Sequence, residues 1–296
     1  MTNVTDSPFP TSPVIPNLLK GDASLQFRCH PEIACFNACC KSIDISLTPY
    51  DILRLRKRLG MSSGDFLNHY TVPHEMEKDG LVGVKLRPVD QGTACQFMCD
   101  KGCTVYEDRP TACRYYPIAL LSMRRQEEFV DRSAYAFVQE EHCLGHQELR
   151  SLTIDEYRKE QGLEEYDELA RGWRQLVLKK KSSGPSVGSP TKRSLQLFFM
   201  VCYDLDRFRQ FVENPSFQDI YDISGEFWQS IYFDDTELML FGFQFLRQVM
   251  FNEISIPIKT GAMDKRLAKK QEREVAMEEI VRKIGPTTPP TSPMEE

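Results

Sequence analysis

Cysteine is the residue in this chain whose type and spacing carry chemistry. Ten occur among 296 residues; nine lie between Cys29 and Cys143, and only Cys202 falls outside. The thiolate is both a nucleophile and a soft metal ligand. Zinc and iron-sulfur centres usually take four such ligands each, collected from loops that the fold brings together. In a reducing compartment thiols stay free, so a dense group of them reads as a metal or redox site rather than a set of bridges.

Four candidate ligands, Cys29, Cys35, Cys39 and Cys40, sit in FRCHPEIACFNACC, whose Pro31 argues for an irregular loop. Adjacent side chains diverge, so Cys39 and Cys40 do not easily clamp one ion together; one of them serves a second metal or only packs. In CQFMCDKGCTVYEDRPTACRYYP, Cys95 and Cys103 flank a hairpin turned at Asp100-Lys101-Gly102. Cys99, beside that turn, reads equally as a ligand or an exposed thiol. Pro110 marks a helix start that points Cys113 back towards the same centre. Cys143, in EEHCLGH, is the last candidate. These eight (Cys29, Cys35, Cys39, Cys40, Cys95, Cys103, Cys113 and Cys143) suffice for two four-thiolate sites.

The spacing C-x5-C-x3-C-C matches neither the C-x2-C knuckles of zinc ribbons nor the ferredoxin run, so zinc and an iron-sulfur cluster both stay open. Four thiolates on Zn²⁺ leave a net charge of about −2 that calls for cationic neighbours. Arg109 and Arg114 are well placed to supply them, with pairing to Glu107 and Asp108 as the competing use. His30, His142 and His146 each neighbour a cysteine and are reserve ligands. Cys202 lies in the helical apolar pattern LQLFFMVCYDLDRFRQFV and reads as core.

The order FRC, Cys-Cys pair, LTPYDILRLRKRLG, C-x7-C-x2-Y-x2-RP-x2-CR-x-YP and a final cysteine resembles the YkgJ-type cysteine-cluster proteins, over roughly residues 25 to 146. Cys103, Tyr106, Arg109, Pro110, Cys113, Arg114, Tyr116 and Pro117 all fall in place. The first half departs from that family's C-x2-C-x2-C-C, with longer spacers before Cys35 and Cys39. The resemblance implies zinc or iron chelation by the matching cysteines. A related cysteine region occurs in a flagellin lysine N-methylase, but methylation is not carried over.

These sites must be positioned by an α+β fold, a small cysteine-rich domain followed by a mainly helical C-terminal region. Thr48-Pro49 opens a helix that Gly60 closes, with Arg54, Arg56, Lys57 and Arg58 as a solvated face. Ser62 with Asp65 opens a second helix, and Val82, Val84 and Leu86 alternate as a strand. Thr153 with Glu156 begins another helix, followed by the apolar stripe Tyr166, Leu169, Trp173, Leu176 and Val177. The expected organisation is a disordered leader at 1–22, a cysteine-cluster domain at 23–150, a helical extension at 151–178 and a linker at 179–194. A helical region at 195–261 and a charged helix with disordered tail at 262–296 complete it. The two aromatic-rich helical patterns after the linker are expected to pack within the chain.

The net charge of −6 argues against nucleic-acid binding by phosphate neutralisation. The longest apolar run, Leu197 to Tyr203, is far short of a membrane span. No nucleotide, metalloprotease or serine-hydrolase motif appears. The expectation is a cytoplasmic metal-binding protein without a signal peptide, its protein partner, if any, open. The competing readings are an iron-sulfur oxidoreductase, a protein-modifying enzyme of the lysine-methylase kind, and a metal-free thiol redox protein.

Overall fold

The computed structural model describes residues 18–76, 80–123, 132–182 and 191–284, and its architecture is α+β, with strands in the N-terminal half and helices filling the C-terminal half. Strand β1 (Ser24–Gln26) leads into an irregular stretch containing a 3₁₀ turn at Ala38–Cys40. After β2 (Ser46–Leu47) comes α1 (Pro49–Leu59), whose start is dictated locally: Thr48 and Asp51 cap one another reciprocally, and Pro49 fills a position needing no N–H. Gly60, at φ +65°, ends it in the left-handed conformation that glycine adopts without strain. Helix α2 (Ser63–Tyr70) is capped by Ser62 and runs into β3 (Thr71–Glu75), which pairs with β4 (Val82–Leu86); β2 flanks β4 on the other side, all antiparallel.

The cysteine hairpin is β5 (Met98–Cys99) and β6 (Gly102–Cys103), turned at Asp100-Lys101, with Cys99 opposite Gly102. A 3₁₀ turn at Tyr106–Asp108 precedes α3 (Thr111–Tyr115). Strands β7 (Ile118–Met123) and β8 (Arg132–Phe137) form an antiparallel pair, and β9 (Ser151–Thr153) returns to pair with β1. Then come α4 (Ile154–Glu160), α5 (Leu163–Ser182), α6 (Lys192–Tyr203), α7 (Leu205–Glu213), α8 (Pro215–Gln218), α9 (Gly225–Phe233), α10 (Asp235–Phe251) and α11 (Ala262–Ile284).

Two apolar clusters hold these elements. The larger runs from Leu47, Leu55 and Phe66 through Leu176 to Phe198, Phe208, Phe241 and Leu246, so the cysteine domain and the C-terminal helices share one core. The two aromatic-rich helical patterns pack within the chain, as expected. Full burial of each such side chain contributes about 1.5–3 kcal/mol. The smaller cluster joins Leu25, Phe27, Tyr115, Ile118, Tyr135, Ile154, Tyr157 and Leu163. Cys202 is core, 4% exposed.

Several expectations are corrected. Arg56 is not on a solvated face: it is 8% exposed, with its guanidinium on Asp206 and Asp235. Arg54 likewise turns to Asp108, at 2.6 and 2.9 Å. Residues 18–22 of the expected leader are tied down, with Leu19 exchanging both backbone hydrogen bonds with Tyr135. The run LQLFFMVCYDLDRFRQFV is two helices, broken at Asp204, whose side chain caps α7. The expected linker is helical at both ends, since α5 reaches Ser182 and α6 starts at Lys192. Thr153 caps α4 as expected, and Ser151–Thr153 before it is a short strand. The disordered tail and residues 1–17 lie outside the described residues.

Candidate metal centre

None of the ten cysteines is in a disulfide. Four pieces of chain carry the candidate ligands to one region, and backbone hydrogen bonds set their positions. The Cys95 N–H donates to the Cys40 carbonyl at 2.8 Å, seating the first loop against the segment that leads into the hairpin. Asn37, in the left-handed conformation at φ +64°, donates from Nδ2 to the Cys99 carbonyl at 3.0 Å. The Thr104 N–H, just past Cys103, returns to the Phe97 carbonyl at 2.9 Å.

Cys113 is placed by a residue the sequence reading assigned no site role. Asp51 is fully buried, and its Oδ1 accepts from the Thr111 N–H at 2.8 Å and from the Thr111 hydroxyl at 2.7 Å. Its Oδ2 accepts from the Thr48 N–H at 2.8 Å, so one carboxylate caps α1 and pins the first turn of α3. The sequence signal was present: Thr48 with an acidic residue at 51 is a capping box. What the sequence does not show is the second pair of donors, sixty positions on.

On the other side of the loop, the Arg28 N–H donates to the Gly145 carbonyl at 3.1 Å, and the Leu144 N–H donates to Cys35 Sγ at 3.2 Å. Cys29, Cys35 and Cys143 are thereby gathered over the smaller core, against which Cys143 packs. Cys40, Cys95 and Cys103 belong instead to the larger core.

The thiols feel one another. Burial, then the charges of Cys39, Cys35 and Cys143, push Cys29 up to about 11. Burial, then Cys95, Asp51, Cys103 and Cys39, push Cys113 well above the usual thiol range. Cys95 and Cys103 are also raised, chiefly by burial, with the nearby Arg109 opposing the shift at Cys103. The Cys39 and Cys40 sulfurs lie 3.9 Å apart; the hydrogen bond from Cys40 draws Cys39 down to about 7, while Cys40 is pushed far up. Crowded thiols that resist ionisation in the absence of a cation are the donor set a soft metal ion stabilises. Two buried polar atoms here lack a well-formed hydrogen bond: His30 Nε2, next to Cys29 and 3.6 Å from the Glu148 carboxylate, and the Tyr116 hydroxyl. That hydroxyl makes no well-formed hydrogen bond, although Cys143 and Glu140 lie near enough to raise its pKa further after burial.

The thiols fit a soft metal in chemistry. Among the described residues no group of three or more His, Cys, Asp or Glu side chains is already drawn in tightly enough to hold an ion. Metal binding would therefore close the loops, and part of its free energy would be folding free energy.

The two arginines serve the scaffold. Arg114 is buried and stacks 4.2 Å over the Tyr166 ring, donating to the carbonyls of Glu107, Arg109 and Gln161 and to the Tyr166 hydroxyl. Arg109 stacks 4.0 Å over Tyr106 and donates to the Tyr106 carbonyl and to Gln161 Oε1. Neither makes the competing ion pair with the Glu107 or Asp108 carboxylates, and Arg109 presents its charge to Cys103. Of the reserve histidines, His30 Nδ1 is bonded to Glu32 and His146 Nε2 lies 3.2 Å from the Val138 carbonyl, while His142 sits 3.5 Å from Glu140. Cys99 is exposed beside the hairpin turn. A groove of about 450 Å³ lined by Leu120, Leu121, Trp173, Arg174 and Val177 contains no cysteine.

Comparison with known proteins agrees with this chemistry. Residues 28–143 match the family model CxxCxxCC, described as "Putative zinc- or iron-chelating domain", over the segment that carries nine of the ten cysteines. No curated protein and no solved structure matches the chain. Among the described residues no helix is long and apolar enough to cross a membrane.

Proposed function

We propose that this protein binds zinc or an iron-sulfur cluster through Cys29, Cys35, Cys39, Cys40, Cys95, Cys103, Cys113 and Cys143, and that it works in a reducing compartment, the cytoplasm. The observation that carries the reading is the set of eight unbridged cysteines, from loops far apart in sequence, in and at the edge of the segment that matches a family model described as "Putative zinc- or iron-chelating domain". A bound metal would accept thiolate charge and tie the irregular loop, the hairpin and α3 together. Arg109, whose charge reaches Cys103, would offset part of the resulting negative charge. Thiol chelation requires reduced cysteines, which is the basis for the cytoplasmic reading.

The test is anoxic purification followed by metal analysis, acid-labile sulfide and the visible spectrum on one sample. Stoichiometric zinc in colourless protein, or iron with sulfide and a brown reducible chromophore, is expected and decides the metal. Cys103→Ser and Cys113→Ser should each lower metal content and melting temperature together. Wild-type protein with neither metal overturns the reading.

A further inference from the structure

Zinc in a structural site and the common iron-sulfur clusters all stop at four protein ligands, so eight thiols exceed what one such centre can use. The fold sorts the eight by neighbourhood. Cys40, Cys95 and Cys103 pack on the larger core, and Cys113, held by the Asp51 tether, faces Cys95 and Cys103. Cys143 packs on the smaller core, with Cys35 bonded to the adjacent Leu144 N–H and Cys29 following the Arg28–Gly145 bond. Cys39 and Cys40 form the seam. Their sulfurs lie 3.9 Å apart; Cys40 goes with Cys95 through its carbonyl, while exposed Cys39, a neighbour of Cys29 and of the Cys95, Cys103 and Cys113 group alike, completes the other four.

We propose that the domain holds two soft-metal centres, an inner one on Cys40, Cys95, Cys103 and Cys113 and an outer one on Cys29, Cys35, Cys39 and Cys143, and that the outer centre is the exchangeable one. This rests on the metal-chelating reading. Its exchangeability follows from exposure: Cys29 and Cys39 face solvent, whereas Cys95 is buried. The outer set is flanked by His30, whose Nε2 lies 3.6 Å from the Glu148 carboxylate, and by the Tyr116 hydroxyl, which interacts with Cys143 and Glu140. Loading either centre with zinc replaces four S–H protons by one Zn²⁺, releasing four protons and leaving net charge −2.

The experiment titrates reduced, chelator-stripped full-length protein with Zn²⁺ and counts bound zinc by mass spectrometry and elemental analysis. Wild type should hold two ions; Cys143→Ser and Cys113→Ser should each lose one and keep the other. Since Cys113→Ser could fail to fold, the wild type provides an independent readout. Zinc is withdrawn from it with a chelator, and newly exposed thiols are alkylated and mapped by mass. Half of the zinc should leave in a faster phase, with labelling confined to Cys29, Cys35, Cys39 and Cys143. One ion per wild-type chain, loss of both ions in Cys143→Ser, or labelling spread evenly over both sets overturns the two-centre proposal while chelation stands. No bound zinc or other metal overturns chelation itself.

Discussion

Replacing Asp51 with alanine tests whether the architecture works as described. The wild-type carboxylate is fully buried and accepts three hydrogen bonds, from the Thr48 N–H, the Thr111 N–H and the Thr111 hydroxyl. Alanine leaves three donors short of a partner, two of them on buried Thr111. At about 1–3 kcal/mol for each unsatisfied buried group, discounted because the neighbours relax together, the loss should be about 3–5 kcal/mol. That is a large part of the roughly 5–15 kcal/mol by which domains are stable. With a urea slope near 3 kcal/mol/M, the unfolding midpoint should fall by about 1 M or more. Metal content should fall as well, because Cys113 sits two residues beyond the freed anchor.

The sign with pH gives a second handle on Asp51. Burial raises its pKa above 3.8, against the opposing hydrogen bonds from Thr48 and Thr111, so the folded state holds this proton more tightly than the unfolded state. The stability linked to that proton is fully present below the unfolded value and is lost as pH rises through the folded one. Asp51→Asn keeps an acceptor for Thr111 but turns an amide towards the Thr48 N–H; it should cost less than alanine, and its deficit relative to wild type should widen as pH falls from 7. Asp44→Ala, which removes an exposed partner of Lys85, is the control and should leave the midpoint in place. If Asp51→Ala unfolds within 0.2 M of wild type, a shift of about 0.6 kcal/mol at that slope, the tether is not what holds α3, and the account of Cys113 placement fails.

Two further outcomes follow. A Cβ at Gly145 would meet Phe27 Cε2 at 2.5 Å and the Arg28 carbonyl at 3.0 Å, so Gly145→Ala should cost about 1–3 kcal/mol by overpacking. It should also displace the Cys143 loop, and unchanged melting with full metal content would count against the packing described. Glu156 and Glu160 have pKa values below 4.5, held down first by hydrogen bonds from Thr153 and Arg150 respectively. Their stabilisation is present above the unfolded value and lost as pH falls through the folded ones. Urea midpoints measured between pH 6 and pH 3 should therefore decline less steeply for a Glu156→Gln, Glu160→Gln variant than for wild type, and parallel curves would refute this.

What could be read from the sequence is what depends on neighbours within one turn or hairpin. Thr48-Pro49, Ser62 and Thr153 announce helix starts because their caps are satisfied three residues away. Asp100-Lys101-Gly102 announces the hairpin for the same local reason. Arg56 misled because its partners, Asp206 and Asp235, lie 150 and 179 positions away; locally KRL after LR is what an exposed helix face looks like. The three-residue strands β1 and β9 are too short to alternate, and only their mutual pairing defines them. The clustered cysteines stood out in the sequence for a chemical reason, since cysteine is rare and nine of the ten lie within residues 29–143. Which of them the fold brings near one another was not legible, because it depends on contacts such as Leu144 to Cys35, 109 positions apart.

The distribution of order suggests why a cysteine domain of this kind is fused to so many helices. The loop from Cys29 to Cys40 has little regular structure, and short loops that bear ligands cannot be held by their own backbone hydrogen bonds. Here the rigid parts lie behind them: α1 supplies Asp51 to α3, and α5 supplies Tyr166 to Arg114. Arg114 in turn grips the Glu107, Arg109 and Gln161 carbonyls around the Cys113 turn. The same α1 is locked to the C-terminal helices through Arg56, Asp206 and Asp235. One side of the thiol group is thus fixed to a large preformed core before any metal binds, and the other rests on a small one. Were the outer centre proposed above filled, a chain built this way could release its ion without losing the fold, an option closed to a small domain whose core is the metal itself.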